Sequence, residues 1–228
     1  AEVVKIAHAA GVPVIVDAAA QLPPQANLRR FIELGADLVA FSGGKALNGP
    51  QGTGILAGRR DLVMAAALQH LDLDIAWEQW SPPATLIDKD RLKGVPQHGI
   101  GRPCKVGKEQ IIGLLTALEL FVAEGDAARH QRWRTMMEVL ANSLQGVPGE
   151  VALHGVGGAE EVPTVTLTLR PNGRLSALDL VIALQNGLPP IQADPLQCDR
   201  GIVAFNPMCL QPGEAETVAA SVRGLLLA

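Results

Sequence analysis

The sequence predicts an α/β protein in two parts. An incomplete parallel-sheet domain covers residues 1–107, and a linking helix with a small α+β domain covers residues 108–228. Three observations predict this. Short apolar runs that end in a polar residue, at 12–17 and 36–42, alternate with helical patterns in the first part. A glycine-rich stretch separates the second of these runs from a third at 54–57. Beyond Lys108 the period changes to long amphipathic helices and then to strand-type alternation, clearest at 163–169.

Residues 1–10 place Glu2, Lys5 and His8 at helical spacing, and Gly11 ends that helix before the strand 12–16. With no strand ahead of the helix, this reads as the middle of a βαβ unit, and the chain as the C-terminal part of a longer protein. Leu22-Pro23-Pro24-Gln25 breaks the chain, Asn27 is placed to cap, and a short helix over 28–34 closes at Gly35. Strands at 36–41 and 54–57 follow, and Arg59-Arg60-Asp61 opens a helix at 62–70. Residues 71–105 hold Trp77, Trp80 and several prolines with no sustained period, which reads as a long functional loop.

The helix at 109–124 carries Ile112, Leu115, Leu118, Leu120 and Phe121 as its expected apolar face, and Gly125 interrupts it. A second helix at 127–144 has Trp133, Met136, Met137 and Leu140 as core. The small domain then reads as strands at 151–154, 163–169 and 201–205, with helices at 177–185 and 214–227. Its Gly155-Val156-Gly157-Gly158 lacks the strand and helix of a dinucleotide fingerprint and is a loop.

Composition narrows the class. With 228 residues and 48% hydrophobic content the chain can bury a sizeable core. A net charge of -4 supplies no basic field for a nucleic-acid backbone. Three cysteines without a CxxC pair suit a reducing, cytoplasmic setting, no apolar stretch is long enough to span a membrane, and no metal site is expected.

The chemistry centres on Lys45, which follows Phe41-Ser42-Gly43-Gly44 in a loop rich in glycine. Such a backbone can approach a bound group closely, and its amides with the Ser42 hydroxyl suit a phosphate. Upstream, Asp17 ends a strand at the edge where open α/β sheets place ligands. A lysine amine and a carboxylate so placed suggest pyridoxal 5'-phosphate, with Lys45 as the Schiff-base lysine and Asp17 keeping the pyridine nitrogen protonated. The structural alternatives are a solvated lysine in a tight turn and an N-capping aspartate. Farther on, Arg102, Lys105 and Lys108 follow His98-Gly99-Ile100-Gly101 and could bind a carboxylate or phosphate. They could equally form a solvated basic face.

Val16-Asp17-Ala18-Ala19-Ala20-Gln21, Gly35-Ala36-Asp37-Leu38-Val39, Phe41-Ser42-Gly43-Gly44-Lys45 and Gly49-Pro50-Gln51-Gly52 resemble, in order and spacing, the core of fold-type I pyridoxal-phosphate enzymes. The nearest likeness is to the group related to seryl-tRNA selenium transferase, and within it to the D-glucosaminate-6-phosphate ammonia-lyase branch, which the block 99–109 also resembles. The resemblance implies a cofactor site of Lys45, Asp17, Ser42, Ala19 and Gln21. It also implies that Gln51 reaches the phosphate bound in a neighbouring subunit, and hence a homo-oligomer. The phosphate loop and ring-stacking residue of that family fall upstream of this sequence. The implied activity is α,β-elimination from a small amino acid or amino-sugar acid such as D-glucosaminate 6-phosphate. Two alternatives stand beside it: a selenium transferase, disfavoured by the acidic charge and by Gly44 where aspartate is expected, and an inactive structural or interaction module.

Overall fold

The computed structural model describes residues 1–171 and 173–227. The chain divides into two compact units, Ala1–Ala123 and Glu124–Ala228. This division falls later than the 107/108 boundary expected from sequence, because the first half of the linking helix lies in the first unit.

The first unit runs α1 (Glu2–Ala9), β1 (Ile15–Asp17), α2 (Asn27–Glu33), β2 (Leu38–Ser42), β3 (Gly54–Gly58) and α3 (Arg60–Gln69). Its sheet has the order β1-β2-β3. β1 and β2 are parallel, with Asp17 opposite Ala40. β2 and β3 are antiparallel, with Ser42 opposite Gly54. The parallel pairing expected is therefore joined by an antiparallel strand. Residues 43–53 contain no crossover helix, so the chain can only turn back beside β2. β2 is the central strand, and its consecutive Leu38 and Val39 are both buried, as on a strand covered on both faces.

β1 is shorter and more open than the expected 12–16 strand. The Val14 N–H leaves the ladder and donates to Asp37 Oδ2 at 2.7 Å, and Ile15 is 66% exposed. Asn27 does not cap α2, whose N-cap is Ala26 without a side-chain bond. It is instead the first helical residue, buried and turned back toward Gln21.

Residues 70–107 form the long loop, with 3-10 turns at Trp77–Gln79, Lys89–Arg91 and Arg102–Cys104. It has a small core of its own, in which Trp80 and Ile87 pack with Met64 of α3. Lys89 Nζ donates to the Trp77 and Trp80 carbonyls at 2.7 and 2.6 Å and lies 4.4 Å from the centre of the Trp77 ring. Both ends of the loop are fastened to one place: Leu73 N–H bonds Pro96 O, and Gly101 N–H bonds Gln69 O at 2.8 Å.

α4 (Lys108–Ser143) breaks at Gly125, where φ is 70° and ψ 159°. Its expected face turns out to be divided. Leu114 and Phe121 are buried, whereas Ile112, Leu115 and Leu120 are half or more exposed. The reason is steric: Gly113 and Ala117 are small enough for the helix to lie on Pro50 and Gly49, and that contact selects the stripe Leu114, Ala117, Phe121.

In the second unit, β4 (Gly149–His154), β5 (Thr164–Leu169) and β6 (Ile202–Phe205) form an antiparallel sheet in that order, with α5 (Ala177–Gln185) and α6 (Glu214–Leu227). β5 alternates half-buried threonines with buried Val165, Leu167 and Leu169. The core is Met137 and Leu140 of α4 and Leu144 just beyond it, with Leu180, Leu184, Val203 and Val222. Ser176 Oγ caps α5 by accepting from the Asp179 N–H at 3.1 Å. Just past the break in α4, buried Arg129 donates to Glu124 and Asp126. Cys104, Cys198 and Cys209 are free thiols, and burial pushes the Cys198 thiol up. Among the described residues no helix is long and apolar enough to cross a membrane.

Candidate active site

Parallel pairing makes β1 and β2 end at the same edge of the sheet, with Asp17 opposite Ala40 and Ser42 two residues farther along β2. After Asp17 the chain makes a tight turn. Ala18 N–H donates to Ala40 O at 2.8 Å, Ala19 N–H to Asp17 Oδ1 at 3.0 Å, and Gln21 N–H to Ala18 O at 3.0 Å. Asp17 is exposed, Ala19 half-buried and Gln21 exposed.

After Ser42 the chain enters a closed loop. Gly43 N–H donates to Thr53 O at 2.9 Å, Gly49 N–H to Gly43 O at 2.8 Å, and Asn48 N–H to Lys45 O at 2.9 Å. Buried Thr53 donates its Oγ1 to Pro50 O at 2.6 Å. No side chain fits at the two glycines before Lys45. A Cβ on Gly43 would fall on Thr53 Oγ1, and one on Gly44 would lie 2.6 Å from Gln51 Cα. Ala46 and Leu47 are buried while Lys45 is exposed, and its amine has no hydrogen-bond or ion-pair partner among the described residues. The backbone thus lifts one lysine off a fixed loop at the edge that also holds Asp17.

This donor set fits pyridoxal phosphate. Lys45 would supply the amine for covalent attachment, Asp17 the carboxylate for the ring nitrogen, and Ser42 with nearby N–H groups the phosphate donors. Gln51 is exposed, and its amide lies over Gly44 of its own chain, 2.7 Å from where a Cβ would be. Arg102 is in a 3-10 turn, Lys105 follows it, and Lys108 opens α4. All three are exposed, and none has a side-chain partner among the described residues.

Three buried polar groups fix the backbone of this site: Asp37 and Thr53, for which the sequence suggested no such role, and Asn27, which it offered only as a helix cap. Asp37, 5% exposed, accepts from His8 Nε2 at 2.8 Å, from the Val14 N–H at 2.7 Å and from Arg59 at 3.0 Å. Those hydrogen bonds, from His8 first, then Val14 and Arg59, hold its carboxyl far below the usual carboxylate range. Thr53 closes the Lys45 loop, and Asn27 holds the Gln21 carbonyl. The one available signal was a polar residue inside or beside an apolar run, as at Asp37.

Fold and site define a fold-type I pyridoxal-phosphate architecture. The aminotransferase class-V family matches residues 1–177, and the chain belongs to that family, whose cofactor is pyridoxal 5'-phosphate. It is 33% identical over 99% of its length to a Streptomyces 5'-C-glycyluridine monooxygenase-decarboxylase, covering 49% of that protein. It is 30% identical over 96% of its length to the Salmonella typhimurium D-glucosaminate-6-phosphate ammonia lyase, covering 50% of it. With the Moorella thermoacetica L-seryl-tRNA(Sec) selenium transferase it shares 31% identity over 96% of its length, covering 46%. The chain therefore spans about half the length of the curated relatives it matches. A solved D-glucosaminate-6-phosphate ammonia-lyase superposes with a TM-score of 0.67 at 24% identity, over 98% of this chain and 52% of that one.

Proposed function

We propose that the protein to which this chain belongs is a pyridoxal-phosphate-dependent lyase. It would act by α,β-elimination on a small amino acid or amino-sugar acid such as D-glucosaminate 6-phosphate. The observation that supports this most directly is Asp17 and Lys45 on one sheet edge in a chain 30% identical to an ammonia lyase. The cofactor, when bound, supplies an electron sink for a carbanion at the substrate α-carbon.

The residues have separate tasks. Lys45 Nζ takes the proton from the α-carbon, and Asp17 keeps a proton on the ring nitrogen. Ser42 and the neighbouring amides hold the phosphate, with Ala19 and Gln21 lining the ring. Arg102, Lys105 and Lys108 hold the substrate carboxylate or its phosphate. The α-proton and the β-hydroxyl leave together as water. Hydrolysis then takes up one water and releases ammonia, so the products are a 2-oxo-3-deoxy acid and ammonia. Gln51 reaching the phosphate site of another subunit makes the working form a homo-oligomer.

A second reading has its own observation, the 33% identity to a monooxygenase-decarboxylase. There the bond broken at the α-carbon is the one to the carboxylate. Transfer of selenium to seryl-tRNA is less well supported. The chain is acidic, and the aspartate expected at position 44 would strike Gln51 Cα.

The test begins with a visible spectrum of the protein in pyridoxal phosphate before and after borohydride, with peptide mapping of the reduced adduct. An adduct on Lys45 that Lys45→Ala abolishes is expected. Ammonia with a 2-oxo acid from amino-sugar acids then supports the lyase, and carbon dioxide in its place supports the second reading. Absence of any adduct, here and in a version extended upstream, would remove the enzyme reading and leave an interaction module.

A further inference from the structure

We propose that Asn27 is the positioning residue for Asp17: it fixes the turn after β1 and so sets the direction in which the Asp17 carboxylate is presented. The inference rests on the reading of Asp17 as partner of the cofactor ring. Asn27 is 8% exposed, and its Nδ2 donates to the Gln21 carbonyl at 2.7 Å. Its Oδ1 is buried and has no hydrogen-bond partner among the described residues.

That imbalance carries the argument. An unmatched buried acceptor costs more than one ordinary hydrogen bond returns, whereas an apolar side chain of similar volume would remove the penalty. Packing alone therefore favours leucine at position 27. What the amide alone provides is the bond to Gln21 O. That carbonyl closes a short chain of contacts, Asn27 to Gln21 O, Gln21 N–H to Ala18 O, and Ala19 N–H to Asp17 Oδ1. Asn27 is itself mounted on the first turn of α2, where its N–H donates to Pro24 O at 3.1 Å. The helix start thus holds the far end of the turn while β2 holds the near end through Ala18 N–H and Ala40 O.

The test uses the full chain with Asn27→Leu and, should that variant not fold, Asn27→Ser, whose hydroxyl is too short to reach Gln21. Amide exchange is measured without cofactor, and pyridoxal-phosphate affinity by titration, with Asp17→Ala alongside. The expected result is a melting temperature for Asn27→Leu at or above that of the parent chain. The Ala19 and Gln21 amides then exchange about tenfold faster, those of β2 are unchanged, and cofactor affinity falls about tenfold. Parent-like exchange at Ala19 and Gln21 would overturn the proposal. Faster exchange with unchanged affinity would also overturn it if Asp17→Ala does weaken binding. If Asp17→Ala has no effect either, it is the reading of Asp17 that fails, and the proposal falls with it.

Discussion

A methyl group added at Gly43 tests the geometry that presents Lys45. It would fall on Thr53 Oγ1, 2.8 Å from Leu114 Cδ1 and 3.1 Å from Thr53 Cβ. Two of these atoms belong to a side chain whose hydroxyl is held by the Pro50 carbonyl, so little can move aside. Overpacking of this kind costs about 1–3 kcal/mol. For a chain of this size each kcal/mol lowers the melting temperature by about 2–4 °C, so Gly43→Ala should melt about 2–12 °C lower. Thr53→Ala removes the nearest atom but also a hydrogen bond, at about 1 kcal/mol. The double variant should then be more stable than the sum of the single losses, by about 0.5–3 kcal/mol of coupling. Circular-dichroism melts of the four proteins at one cofactor concentration decide it. A Gly43→Ala protein that melts like the parent, or strictly additive losses, would refute the reasoning.

Other residues give independent checks. The folded-state pKa of Asp37 lies far below its unfolded value, so its contribution to stability is complete above the ordinary carboxylate range, starts to fall as pH drops below about 4, and is fully lost only below the depressed folded-state value. Asp37→Asn should therefore be less stable at neutral pH, and its denaturant midpoint should fall less steeply than the parent's from about pH 4 downward. Lys89→Met deletes two hydrogen bonds and the contact over Trp77, a loss of about 1–3 kcal/mol, and should shift tryptophan emission to the red. Leu180→Ala opens a cavity in the second unit and should cost about 2–5 kcal/mol by chemical denaturation.

Much of the second unit was legible in the sequence because each signal there is local. Ser176 and Asp179 form a capping box that starts α5, the threonines alternate along β5, and the helices at 177–185 and 214–227 have the expected bounds. In the first unit the Ser42–Lys45 and Asp17 segments could be read because their residue types and spacing are specific. The supports around them could not, since Asp37 meets His8 29 residues before it and Arg59 22 residues after it. No period in the sequence joins such partners. The antiparallel turn of β3 depends on how the 43–53 loop closes, and the inward stripe of α4 on which of two apolar rows fits Pro50. Both are outcomes of three-dimensional fit, which outweighs hydrophobicity by position.

The loop between α3 and α4 has a consequence for how such a protein diversifies. It leaves and returns at Gln69–Leu71, and between those ends it is tied to α3 at several points: Trp80 and Ile87 pack on Met64, Arg60 donates to the Ala84 carbonyl, and the Asp88 N–H meets Met64 Sδ. Lengthening such a loop is inexpensive, about 0.6 kcal/mol for each doubling. Mutations within it need not propagate to the end of β1 at Asp17 or to the loop that carries Lys45. Descendants of one ancestor could thus vary this segment in length and composition while the sheet edge at Asp17 and Ser42 kept its form.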